Sequence, residues 1–420
     1  MPSLICSPIR QLRLSARLRD NALPVVLSVS TEKRESMIIL DPNHVSLLMR
    51  SYLEESRQPV MKTAMAEKLH NEGADIALVE VDDAVRRIEA GERLYAMSES
   101  HLGWLADHVE RPDLLHAVNV CKDKARMRKV LSPLFPELYF ESVKTEDLLQ
   151  MACPKDRLPL VVKPAVGFLS MGIHVVRSEE DWNRAMEQIA QERTCWGSRY
   201  ARSVVDGEHF IVESLIEGTE YAVDVYFDGD GQAHVLDILR HDFANAADTS
   251  DRLYVTGPAV IREQLEPMTR FLNQANRCMG MRDFPCHVEV RNDAGRIRPI
   301  EFNPLRFAGL GGTEVSYYAY GFFTFDRYLK GQDANWDEVL PACDESVYTC
   351  LSCLDAPVGT PRGAQFDYAA LRRDYPGACA TEPFNNDESG FFGFLFWKTS
   401  AEDPAERAAF LNNDLRGYLR

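Results

Sequence analysis

The stretch from Pro285 to Pro304 constrains this chain more than any other. Residues 285–291 and 296–303 read as two strands joined by Asn292-Asp-Ala-Gly295, a hairpin turn signal. Strand alternation puts His287, Glu289 and Arg291 on one face, with Val288 and Val290 on the other. In the second strand Glu301 and Asn303 face one way, Ile300 and Phe302 the other. Two carboxylates and an amide oxygen thus turn away from the apolar side. Such hard oxygen donors suit Mg²⁺, which takes one or two carboxylates and completes its shell with phosphate and water. A four-residue turn at 292–295 pairs Glu289 with Arg298, three positions short of Glu301. Pro299 cannot donate to a ladder and marks the place for a bulge that shifts the register. Taken alone, the hairpin reads more readily as a solvated polar strand face.

Three other segments supply what a nucleotide would need. Leu160-Val-Val-Lys163-Pro is a strand ending in a lysine, and the loop after it carries Gly167, Ser170 and Gly172. Backbone N–H groups of such a loop can cradle phosphates while Lys163 adds a point charge; glycines of an ordinary turn would look the same. Upstream, Cys121-Lys122-Asp123-Lys124 opens a basic helix that Pro133 and Pro136 end. Downstream, the strand Phe210-Ile-Val-Glu213 runs through Ser214, Leu215 and Ile216 to Glu220. That connection can offer backbone groups to an adenine edge, with Glu220 seven residues beyond Glu213 for ribose hydroxyls; in isolation a plain strand-turn-strand reads equally well.

At 420 residues, two or three structural units are expected. Strands at 24–30, 37–40 and 76–81 alternate with helices at 43–56 and 60–71, which predicts an α/β unit. Strands at 138–143, 159–163, 173–177 and 210–214 with a helix at 179–193 form a small α+β module. Strands at 220–227, 233–239, 285–291 and 296–303 with a helix at 261–280 form a third unit. The last 90 residues hold a helix near 404–414 and the aromatic strand 390–398, and Ser316 to Phe323 reads as an amphipathic core helix. The domain bounds expected are 1–118, 119–214, 215–330 and 331–420. A net charge of −17 argues against nucleic acid or an anionic membrane as partner. No run of about 18 apolar residues spans a membrane. Arg10, Arg13, Arg17 and Arg19 precede the first acidic residue and faintly resemble a transit peptide, but a ragged extension is the plainer reading. The protein is therefore expected in the cytoplasm. Cys350 and Cys353 lack the second pair that a zinc site needs and read as buried thiols.

The order Asp123-Lys124, Val-Val-Lys163-Pro with its Gly/Ser loop, Glu213 and Glu220, then Glu289 and Glu301-x-Asn303 resembles the ATP-grasp superfamily. The segment Glu301-Phe-Asn303-Pro-Leu-Arg306-Phe-Ala-Gly309 is most similar to its carboxylate–amine ligases, the L-amino-acid (dipeptide) ligases among them. The resemblance covers roughly residues 120–330. It implies an ATP-grasp fold, mixed α/β and α+β, with a Rossmann-like N-terminal domain, a lid module and a larger C-terminal α+β domain. It also implies ATP and Mg²⁺, two ions with Mn²⁺ as a substitute, and small carboxylate and amine substrates. Lys124 and Lys163 would meet the α- and β-phosphates; Glu213 to Ile216 would hold adenine, and Glu220 ribose. Glu289, Glu301 and Asn303 would coordinate magnesium, and Arg306 would meet the γ-phosphate and the reacting carboxylate. For the base that deprotonates the amine, His287, His241 and Asp224 stay open. Phe168, Leu169 and Met171 depart from the more glycine-rich loop of many relatives. Another ATP-grasp reaction (carboxylation or a purine-pathway step) and a non-catalytic ATP-binding regulator remain alternatives, and a homodimer is an open assembly.

Overall fold

A computed structural model of the protein describes residues 36–166, 172–199, 208–245 and 248–420, with all side chains there except those of 192–199 and 388. The strand expected at 24–30 lies outside these residues.

The N-terminal unit is a parallel sheet of β1 (Ser36–Ile39), β2 (Pro59–Met61), β3 (Ala77–Val79) and β4 (Arg93–Ala96), in the order β3-β2-β1-β4. Parallel neighbours require crossovers, and helices Leu47–Ser56, Ala64–Asn71 and Val81–Glu89 supply them. The helix expected at 60–71 is shorter, because residues 59–61 are drawn into the sheet as β2 and Thr63 then caps the helix through Ala66 N. Strand order reverses between β1 and β4. Ligand crevices of open α/β sheets form at the carboxyl ends of strands at such a point. Glu99 sits there, three residues beyond β4.

The second unit is an antiparallel sheet of β5 (Phe140–Lys144), β6 (Leu160–Pro164), β7 (His174–Val176) and β8 (His209–Ser214), ordered β5-β8-β6-β7. Helix Glu179–Arg199 packs on it over a core of Leu160, Val162, Trp182, Ile189, Phe210 and Val212.

The largest element is one eight-stranded sheet. It contains β9 (Thr219–Phe227), β10 (Ala233–His241), β11 (Leu253–Thr256), β12 (Phe284–Asp293), β13 (Arg296–Pro304), β14 (Val347–Asp355), β15 (Ala378–Pro383) and β16 (Phe391–Ser400). Their order is β13-β12-β9-β10-β11-β14-β16-β15, so strands from the last 90 residues extend the sheet that carries the acidic hairpin. The reading of the sequence missed β11, β14 and β15. β11 is only four residues long. Cys350 and Cys353 fall three apart in β14 and therefore point to opposite faces; both thiols are free.

Helix Pro258–Met279 covers one apolar face of this sheet, packing with Val223, Val225, Ile238 and Val255. The opposite face is read across the registers. One row runs Arg291–Glu220–His241–Tyr254–Leu351–Phe396. The next runs Glu301–Glu289–Ala222–Leu239, and a third Asn303–His287–Asp224. Charge is concentrated at the β13–β9 end. Beyond β11 the face turns apolar, and helix Glu314–Tyr320 closes it through Val315 and Tyr318 against Leu351, Phe394 and Phe396.

Candidate active site

The acidic hairpin owes its geometry to a turn and a bulge. The turn is two residues long, not four: Asp293 pairs with Arg296, and Ala294 and Gly295 have φ of 49° and 88°. Positive φ at both centres is the type I′ requirement that matches strand twist, and glycine meets it without strain. Continued without interruption, this register would set Glu289 against Ile300 and turn Glu301 to the apolar face. Instead the pairing steps from Val290–Pro299 to Glu289–Glu301, with Ile300 as the extra residue. One bulge at Pro299 thereby brings the two carboxylates face to face, with Asn303 opposite His287 beside them.

Charge balance explains the states of the pair. Lys124 Nζ lies 2.7 Å from Glu301 Oε2, and Asn303 Nδ2 donates to Glu301 Oε1 at 3.2 Å. Burial raises the Glu301 carboxyl, but Lys124 and then Lys163 outweigh it and hold it well below the usual range. Among the described residues Glu289 has no such cation beside it. Burial, and then the charge of Glu301, push it well above that range. The site is short of positive charge at Glu289. Among the described residues no cluster of three His, Cys, Asp or Glu side chains stands ready to hold a metal by itself. Two carboxylates and an amide oxygen do fit a magnesium ion that arrives with phosphate oxygens.

Lys124 begins helix Lys124–Leu131, which Asp123 caps through Ala125 N at 2.9 Å and Arg126 N at 3.1 Å. One turn on, at i+4, Arg128 lies on the same side of the helix. Its guanidinium donates to both oxygens of Glu213, at 2.5 Å from Nε and 3.2 Å from Nη2. It also donates to the bulge carbonyls, Pro299 O at 2.7 Å and Ile300 O at 3.3 Å. Arg128 thus fastens the bulge to the end of β8. The sequence reading passed over it, although its spacing from Lys124 was a usable signal.

Lys163, on β6, completes this knot with Nζ 2.8 Å from Glu213 Oε1. Burial lowers the Lys163 ammonium, and Glu213 offsets that only in part. Glu213 is buried too, yet Arg128 and Lys163 together bring its carboxyl down to about 2. Its oxygens are therefore held by two cations. Ser214 N donates to Tyr139 O and Leu215 N to Pro159 O, so the connection is held on both sides. Arg291 Nη1 donates to Ile216 O at 2.9 Å. Gly218 (φ 114°) runs so close to the β12–β13 turn that a Cβ there would lie 2.5 Å from Asn292 O.

Glu220 pairs with Arg291 at 2.9 Å and with His241 Nδ1 at 3.0 Å. Arg291, noted only as a member of the polar face, links the Ile216 backbone to Glu220. His241 Nε2 faces Ser250 O at 3.0 Å. Both of its nitrogens are thus occupied by neighbouring oxygens, and neither is turned toward an open position. His287 Nδ1 lies 2.7 Å from Asp224 Oδ1, which also accepts Ala308 N at 3.0 Å. Asp224 is fully buried behind the ring and orients it.

Arg306 reaches the same area after Leu305, whose left-handed φ of 59° is costly for a branched side chain. The turn is held by Leu305 N to Pro285 O (2.9 Å) and by Ala96 N to Leu305 O (2.8 Å). Arg306 then meets Glu99 Oε1 at 3.0 Å, and Lys122 also pairs with Glu99. Burial raises the Glu99 carboxyl, while Arg306 and Lys122 bring it below its ordinary value. Neither Glu99 nor Lys122 was foreseen.

The structure brings Lys124, Lys163, Glu213, Glu289, Glu301, Asn303, His287 and Arg306 to one region, with Ser214–Ile216 and Glu220 at its edge. Gly172 (φ 68°) precedes β7. Gly167 and Ser170 lie outside the described residues.

Residues 156–314 match the ATP-grasp domain family. A curated relative, an uncharacterized Sinorhizobium fredii protein (y4rH), is 25% identical over 226 residues; the match covers 51% of this chain and 42% of that protein. The chain thus spans less than half of that relative. The L-amino acid ligase from Bacillus licheniformis has a similar fold, with a TM-score of 0.65 and 17% identity over 93% of this chain and 99% of that one. Biotin carboxylase from Campylobacter jejuni (TM-score 0.57, 14% identity, 87% of each chain) and N5-carboxyaminoimidazole ribonucleotide synthetase from Thermotoga maritima (0.55, 14%, 92% and 99%) are similar as well. The acidic hairpin and the lysine-bearing sheet fall within or beside the matched segment: residues 156–314 are an ATP-grasp domain, and the chain has the fold of the ATP-grasp enzymes it was compared with.

Proposed function

We propose that the protein is an ATP-dependent ligase that joins a small carboxylate to an amine through an acyl phosphate, releasing ADP and phosphate. The observation that carries this reading is the convergence of Lys124, Lys163 and Arg306 on the paired carboxylates Glu289 and Glu301. Phosphoryl transfer asks the protein for positioning and for positive charge around the moving group. Here three buried or half-buried cations supply it from three elements. The match to the Bacillus licheniformis amino acid ligase, with a higher TM-score than the carboxylating enzymes compared, supports amino acids as the substrate class.

Glu289, Glu301 and Asn303 would hold magnesium. When bound, the ion neutralises charge on the transferring phosphate and offsets the repulsion between the two carboxylates. The chain's own groups do the rest. Lys163 and Lys124, now paired with Glu213 and Glu301, would be shared with phosphate oxygens. The backbone from Ser214 to Ile216, pinned by Arg291, would face adenine, with Glu220 toward the ribose. Arg306, steadied by Glu99, would orient the acid so that a carboxylate oxygen attacks the γ-phosphorus and ADP leaves. His287, fixed by Asp224, keeps Nε2 for the acid or the phosphate.

The test is to incubate the protein with ATP, magnesium and pooled amino acids, following ADP by coupled assay and products by mass spectrometry. ADP release that requires both an acid and an amine supports the ligase. Release that requires bicarbonate instead would assign a carboxylating reaction, and nucleotide binding without turnover under every mixture would leave a regulatory ATP binder.

A further inference from the structure

The ligase reading leaves one proton without a destination, because the incoming amine must shed it before or during attack on the acyl phosphate. Asp224 is sealed behind His287, and both His241 nitrogens are taken. His287 lies on the Asn303 side of the metal carboxylates, the side from which Arg306 reaches. The other side of Glu289 is open in a different way. There the row Glu220–His241–Tyr254 runs along the sheet, and Tyr254 stacks on His241 with ring centroids 4.1 Å apart. The Tyr254 hydroxyl donates to Asp251 Oδ1 at 2.8 Å. Asp251 stands just before β11 and is exposed to solvent, yet close enough to Glu220, Glu289 and Glu301 for their charges to be felt. Among the described residues no salt bridge neutralises it. Its neighbour Arg252 is committed elsewhere, to the carbonyls of Leu411 and Asn413 and to the Phe410 ring.

Resting on the ligase reading, we propose that Asp251, held by Tyr254, receives the ammonium of the amine substrate and takes its proton. The step balances simply. The ammonium N–H bond breaks to Asp251, the freed nitrogen pair bonds to the acyl carbon, and the C–O bond to phosphate breaks as phosphate leaves. Between Asp251 and Glu289 the floor of the face is Ala222 and Leu239, small or apolar groups, and Glu220 beside them is already paired with Arg291 and His241. The charged and titratable groups facing Asp251 are His241 from β10, Tyr254 from β11, Glu220 from β9, Glu289 from β12, Glu301 from β13, and Cys353 and Asp355 from β14. Carboxylates dominate, and like charge around a carboxylate favours its taking up a proton.

Asp251→Asn tests this in the full-length protein with two nucleophiles. An amino acid is an ammonium at neutral pH and needs a base; hydroxylamine is largely unprotonated there and does not. For any acid the wild type activates, the variant should lose about 100-fold in amide formation at pH 7. Hydroxamate formation from the same acid should stay within about threefold, and the amide deficit should shrink as pH rises toward the amine's own pKa. Parallel loss of both products, or loss of neither, overturns the assignment. Failure of the wild type to form ADP or hydroxamate with any acid overturns the ligase reading itself, and this proposal with it.

Discussion

Arg128→Met separates the geometry of the hairpin from its charge. The wild-type guanidinium is buried and donates to two Glu213 oxygens and two bulge carbonyls, four acceptors from two domains. Methionine fills similar volume and satisfies none of them. Removing one partner of a buried ion pair costs about 3–5 kcal/mol, and Lys163 remains on Glu213, so roughly 3 kcal/mol is expected. The pH dependence gives a second handle. Glu213 falls from 4.5 to about 2 in the folded protein, equivalent to roughly 3 kcal/mol. A depressed carboxyl pKa adds stability that is fully present above pH about 4.5 and lost as pH falls toward 2. In the variant that contribution should be smaller, so the stability gap from wild type narrows between pH 7 and pH 4. Function should respond through the bulge: with Pro299 and Ile300 released, Glu301 is no longer fixed opposite Glu289, and the magnesium concentration for half-maximal ADP release should rise at least tenfold. Arg128→Lys keeps the charge but not the fork and should recover stability more than magnesium affinity. Urea unfolding at pH 7 and pH 4, with magnesium titrations of ADP release, reads all of this. Stability within about 0.5 kcal/mol of wild type and an unchanged magnesium dependence would refute the reasoning.

Glu301→Gln should abolish ATP turnover, since it removes a metal charge and the carboxylate that pairs with Lys124; near-normal ADP release at ordinary magnesium would count against the metal site. Asp237, buried and accepting from Thr256 Oγ1 at 2.7 Å and Ser316 Oγ at 2.6 Å, is raised from 3.8 to about 7. A carboxyl raised by folding contributes stability below its unfolded value that is lost up to the folded one, so Asp237→Asn should gain on wild type between pH 4 and 7, by at most roughly 4 kcal/mol; equal melting shifts at pH 4 and 8 would contradict this. Gly218→Ala forces a Cβ against Asn292 O and should raise the KM for ATP more than it lowers kcat, measurable in steady-state kinetics; an unchanged KM would argue that the Ser214–Ile216 connection does not bear on nucleotide. Acidic amines should be poorer substrates than neutral ones, because Asp251, Asp355, Glu220 and Glu289 face the open side; a preference for glutamate as the amine would reverse that view.

Alternation in 285–303 was enough to put Glu289, Glu301 and Asn303 on polar strand faces, and Pro299 marked the bulge. Whether Glu301 meets Glu289 depended on two things a pattern does not encode, the length of the turn and the position of the extra residue. The anchor of that bulge, Arg128, is 171 residues away in sequence, and local periodicity carries no information about such a contact. The same limit hid Glu99, which reaches Arg306 only because β4 ends at the switch point of another sheet. The Glu213 and Glu220 stations stood out by spacing, but their present partners, two cations for one and an arginine with a histidine for the other, are set by packing between units. β14 was obscured because its partners, β11 and β16, come from distant segments; β15 pairs with the nearby β16, but the helix Asn386–Ser389 between them replaces the tight turn that flags a hairpin.

The most direct test of the central claim is the fate of the acid's oxygen. A pool of amino acids labelled with ¹⁸O in the carboxyl group, incubated with ATP, magnesium and the protein, should yield inorganic phosphate carrying one ¹⁸O and amide product short of one. ADP formation with wholly unlabelled phosphate would contradict an acyl phosphate and, with it, the ligase account.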